Sequence, residues 1–205
     1  MLSFKQLSRN CKHREVASAA PRMALVGDTA TQFLATALRG EAINRGYDLE
    51  LFEAEYNQVE RQFLDPSSEL YAFEADYIVL FQSTHKLCEH HSMLPDSERV
   101  TLADNRLAFL TSICQNPQLT GKKLICMNYP EIEDTVYGSY ANQVESSFTY
   151  QVRKLNYGLM QLAREYSNLF ICDIAGVQNK IGRDRMFASN VYVSTEMVLS
   201  IDAHD

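Results

Sequence analysis

The stretch Met23-Ala24-Leu25-Val26-Gly27-Asp28-Thr29-Ala30-Thr31-Gln32 decides the fold. Its four consecutive apolar residues end at a glycine, the pattern of a short strand buried on both faces. From Thr31 to Arg45 the spacing changes. Phe33, Leu34, Ala37, Leu38 and Ala42 share one helical face, and Gly46 supplies a stop. A buried strand followed at once by an amphipathic helix is half of a βαβ unit.

The remaining chain continues the alternation. Leu49 to Phe52, Tyr77 to Phe81, Lys123 to Met127 and Leu169 to Cys172 read as four further strands. Between them lie a helical stretch from Tyr56 to Leu70 that carries the turn Asp65-Pro66-Ser67-Ser68, a helix from Val100 to Ile113 and a long one from Val144 to Tyr166. A short helix around Val177 to Ile181 precedes the segment from Met186 to Ile201. Strands alternating with helices predict an α/β fold with a mainly parallel five-stranded sheet and helices on both faces. Residues 1–21 read as a short amphipathic helix, with Leu2, Phe4 and Leu7 on its apolar side, and a connection; residues 22–205 form the α/β domain.

With 205 residues, 46% hydrophobic and 22% charged, the chain can bury a sizeable core without a staple. Its net charge of −7 argues against a general nucleic-acid binder, which needs a cationic surface. Five scattered cysteines without a CxxC pair fit a reducing compartment, so a cytoplasmic location is expected. No signal-like run opens the sequence, and nothing approaches the ~20 apolar residues that would cross a membrane.

In parallel sheets ligands bind outside the carboxyl ends of the strands. Each predicted strand exit here is polar: Gly27-Asp28-Thr29, Glu53 to Asn57, Gln82-Ser83-Thr84-His85, Asn128-Tyr129 and Asp173. Gly27, Asp28 and Thr29 are either a glycine turn with a helix cap or an oxyanion site beside a nucleophile. Asn57, Gln82, Ser83 and Asn128 can reach a ligand or close local turns. His85 is a candidate base or phosphate ligand, or a surface histidine. His85, Cys88, His90 and His91 tempt a metal reading but lack zinc-type spacing, so no metal site is expected. No GxxxxGK[ST], GxGxxG or GxSxG motif occurs.

Several blocks together resemble a known family. Gly27 to Gln32, Phe52-Glu53-Ala54-Glu55-Tyr56-Asn57-Gln58, Leu64 to Leu70, Phe81 to His85 and Met197 to Asp202 are similar, in order, to the N-terminal region of FkbH-like proteins of the HAD superfamily. The resemblance implies a three-layer, flavodoxin-like domain related to SGNH hydrolases. It implies a HAD-type phosphatase-like domain as partner, in cis or in trans, and an acyl carrier protein that some members load from a phosphorylated three-carbon donor. Magnesium is expected only for the HAD domain, whose DxDx[TV] motif this sequence lacks, and no cofactor is expected in this domain. The chain then corresponds to a detached or truncated N-terminal domain.

Within the SGNH pattern Thr29 takes the place of the nucleophilic serine, and Gln82 to His85 take the place of the GxND block without its glycine or asparagine. The tail reads Asp202-Ala203-His204-Asp205 where Asp-x-x-His belongs. A hydroxyl without a positioned base is a poor nucleophile. The expectation is an accessory domain that binds a carrier partner, a phosphorylated donor or the neighbouring HAD domain. The alternative is an esterase or acetyl hydrolase that uses Thr29 as nucleophile and His85 as substitute base.

Overall fold

A computed structural model describes residues 2–11, 20–187, 192 and 195–204. Five strands, β1 (Arg22–Gly27), β2 (Glu50–Glu53), β3 (Tyr77–Phe81), β4 (Lys123–Met127) and β5 (Leu169–Cys172), form one parallel sheet in the order β2-β1-β3-β4-β5. Each lies within a residue or two of its expected position. Runs such as Tyr77-Ile78-Val79-Leu80-Phe81 suit a buried pleat and little else.

The helices are α1 (Phe4–Asn10), α2 (Gln32–Asn44), α3 (Val59–Leu64), α4 (Glu69–Ala72), α5 (Thr84–Met93), α6 (Asp96–Arg99), α7 (Leu102–Cys114), α8 (Phe148–Glu165), α9 (Ile174–Ile181) and α10 (Arg183–Met186). Strand alternation divides them between two faces. Ala24 and Val26 of β1, with Ile78, Leu80 and Leu124, pack against Val59, Phe63, Leu110 and Leu159 of α3, α7 and α8. Leu25, Val79 and Phe81 point the other way, to Ala35 of α2, Ile174 of α9 and Met186 of α10. This is the α/β/α arrangement that the alternation predicts.

Helix boundaries depart from expectation in places, for local reasons. The expected Val144–Tyr166 helix begins only at Phe148: a 3-10 turn over Gly138–Gln143 precedes it, and Ser147 caps α8 by accepting from the Tyr150 amide at 3.2 Å. The helix α9 begins at Ile174 because the Asp173 carboxylate accepts from the Gly176 amide at 2.9 Å. The polar α5, not foreseen as an element, is capped by Ser83, whose hydroxyl accepts from the Lys86 amide at 3.1 Å.

The amphipathic N-terminal helix lies across α2. Gly40 permits this, since a Cβ there would run into the Leu7 carbonyl. The expected connection after α1 falls mostly on residues 12–19, outside the described residues. In the expected segment from Met186 to Ile201, Phe187 bridges Leu199 in antiparallel fashion, and residues 188–191, 193 and 194 are outside the described set.

Candidate functional site

The chain leaves β1 to form β2 on one side and returns to form β3 on the other, so the crossover switch lies between the exits of β1 and β3. Gly27 holds these exits close. A Cβ there would stand 2.7 Å from the Thr31 methyl. The Asp28 amide donates to the Phe81 carbonyl at 3.1 Å, and the Ser83 amide donates back to both Asp28 carboxylate oxygens, at 2.8 and 3.0 Å. A cleft of about 350 Å³ opens over this junction. Its lining includes Asp28, Asn57, Gln82, Ser83, Lys86 and Arg106, with Glu60, His90 and Tyr129 at its sides.

The cleft presents more donors than acceptors. Tyr129 is fully buried, which pushes its phenol well above the usual tyrosine range and keeps it protonated. Its hydroxyl donates to Gln82 Oε1 at 3.1 Å, which leaves the Gln82 NH₂ as that side chain's remaining polar group. Asn57 sits in the left-handed region at φ 61°, a conformation asparagine tolerates better than most residues. Arg106 meets Glu60 through a single contact of 3.4 Å. Asp28 is the buried acid of the group. Burial raises its carboxyl to about 7, against the opposing pull of the Ser83 amide, Arg106 and Lys86.

Thr29 does not line this cleft. Thr29 is 0% exposed, and among the described residues its hydroxyl has no hydrogen-bond partner. The C-terminal segment covers it: the Ala30 amide donates to the Glu196 carbonyl at 3.0 Å, and Lys86 Nζ pairs with Glu196 at 2.9 Å. His85 packs edge-on to Phe187, with ring centroids 4.7 Å apart, and lies 5.3 Å from the Tyr192 ring. Burial lowers its pKa, and its Nδ1 has no hydrogen-bond partner among the described residues. No hydrogen bond joins Thr29 to His85.

The other candidates have structural partners. Asn128 donates to Asp173 at 2.7 Å and accepts from the Ala175 amide at 2.9 Å, so it is committed to the start of α9. His204, the tail histidine, packs near Phe4 and Phe33 on the α1–α2 face, and its ring nitrogen lies 2.7 Å from the Ser200 carbonyl. Among the described residues no group of three or more His, Cys, Asp or Glu side chains is placed to hold a metal. Lys86 and Arg106 were not singled out from sequence, and His90 was weighed only as a metal ligand; Lys86 lies one residue past the strand-exit block, and Arg106 sits mid-helix with nothing nearby in the chain to mark it.

The family model of the FkbH N-terminal domain matches residues 22–204. The chain belongs to this family. It is 52% identical to the crystal structure of the N-terminal part of protein BF1531 from Bacteroides fragilis, a protein containing a phosphatase domain and complexed with Mg, and superposes on it with a TM-score of 0.93. That match covers 100% of this chain and 54% of the relative, so the FkbH domain described here spans about half of the relative's length. More distant structures share the fold alone. TesA is 15% identical with a TM-score of 0.54, covering 89% of this chain and 91% of TesA. A GDSL-like lipase from Bacteroides thetaiotaomicron is 11% identical with a TM-score of 0.54, covering 99% of this chain and 93% of the lipase. Among curated proteins none matches the chain.

Proposed function

We propose that this FkbH domain is an accessory ligand-binding domain of an FkbH-like protein, serving a HAD-type phosphatase domain rather than hydrolysing esters itself. One observation carries the reading: consecutive residues of one loop are divided between an open cleft and a closed interior. Asp28 faces the cleft, whereas the Thr29 hydroxyl is enclosed, with no base bonded to it among the described residues. Acyl transfer needs the nucleophile within reach of both a base and a substrate. The cleft, by contrast, offers amide and cationic donors to a small ligand.

At about 350 Å³ the cleft lies at the small end of ligand pockets. It suits a phosphorylated donor of a few carbons better than an extended acyl chain. The phosphatase domain in cis is the natural recipient of such a ligand, with magnesium belonging to that domain, and an acyl carrier protein is a further partner of the assembly. Titration of the chain with 3-phosphoglycerate, followed by calorimetry, tests the reading. Saturable binding weakened by Arg106→Ala is expected. Turnover of a chromogenic ester, abolished by Thr29→Ala, would overturn it in favour of a hydrolase.

A further inference from the structure

We infer that the cleft takes a tetrahedral oxyanion, a phosphate monoester or its sulfate mimic, on Arg106 and the Gln82 amide, and that Asp28 admits it by taking up a proton. The inference rests on the cleft reading above and adds the ligand's charge and the group that gates it. Donors decide the ligand class. Gln82, only 5% exposed, has its oxygen occupied by the Tyr129 hydroxyl, so its NH₂ remains to donate. The Arg106 guanidinium holds Glu60 by one long contact on a side chain 60% exposed, a pairing that an incoming dianion can replace at little cost.

The Asp28 carboxylate is the obstacle to a dianion. Its oxygens accept from the Ser83 amide, yet that does not offset the burial, and the carboxyl titrates at about 7. An anion entering beside it raises that value further, so binding and protonation reinforce each other. The proton comes from solvent and rests on the Asp28 carboxyl; no bond in the ligand changes. The other charged or titratable groups around Asp28 are Glu60 from α3, Lys86 and His90 from α5, Arg106 from α7, and Tyr129, with Tyr192 and Glu196 from the C-terminal segment.

Sulfate, which does not titrate near neutrality, separates the protein's protons from the ligand's. Its affinity is measured from pH 6 to 8 for the wild type, Asp28→Asn and Arg106→Ala, with circular dichroism confirming each fold. If only the protonated form binds, the wild type weakens about tenfold between pH 6 and 8. Asp28→Asn should stay near the wild-type pH 6 affinity throughout, and Arg106→Ala should bind several-fold more weakly at every pH. A wild-type slope retained in Asp28→Asn, or affinity indifferent to Arg106, overturns the inference. If 3-phosphoglycerate binds while sulfate does not, the inference falls and the accessory-domain reading stands. If neither binds a folded protein at any pH, both fall.

Discussion

Replacing Asp28 by asparagine should stabilise the protein at alkaline pH and change it by no more than about 1 kcal/mol at acid pH. The wild-type carboxyl titrates at about 7 when folded against an ordinary 3.8. The folded state therefore holds its proton more tightly than the unfolded state. The associated stability is complete below pH 4 and is lost as pH rises through 7. The difference between the two values corresponds to about 4 kcal/mol above pH 7. Asparagine avoids that cost and keeps an oxygen for the Ser83 amide, but its own NH₂ needs an acceptor, a charge of about 1 kcal/mol. A net gain of roughly 3 kcal/mol at pH 8 amounts to roughly 6–12 °C in Tm for a domain of this size. Urea unfolding of both proteins at pH 5 and pH 8 checks this. The exposed carboxylates whose pKa is lowered by partners, such as Glu41 and Asp65, are common to both proteins and cancel. An identical difference at the two pH values, or a less stable variant at pH 8, would show that Asp28 is not the strained acid described here.

Other sites give independent checks. Thr29→Val keeps the shape and removes an orphaned hydroxyl, so thermal melting should show no loss and a gain of up to about 1 kcal/mol. Gly40→Ala forces α1 away from α2 at Leu7 and should cost about 1–3 kcal/mol, with amide exchange across residues 4–10 accelerating first. Gln151 accepts from the Ala103 amide at 2.9 Å and donates to the Val100 and Glu145 carbonyls at 3.2 and 2.7 Å. Gln151→Leu strands all three groups and should cost roughly 2–4 kcal/mol in denaturant unfolding.

The sheet was legible because each strand is a short apolar run bounded by polar residues, and β1 to β5 need no distant information to be seen. The family blocks likewise pointed to the right domain. The site was only partly legible. Asp28, Gln82 and Ser83 of the candidate cleft are legible because they sit at strand exits, where topology alone concentrates polar groups. Arg106 lies in the middle of α7, and only the packing of α7 beside α3 and α5 brings it to Asp28. Nor could local sequence reveal that Thr29 is enclosed. That depends on Glu196, 167 positions later, reaching the Ala30 amide and Lys86.

The beginning of α5 links the cover to the cleft. Ser83, its cap, is tied to Asp28, while His85, Lys86 and Glu89 hold Phe187, Tyr192 and Glu196. The covering segment can lift from Thr29 only by releasing contacts rooted in the same stretch of backbone that Asp28 anchors. The cover over Thr29 and the charge of the cleft thus share one stretch of backbone, from Ser83 to Glu89.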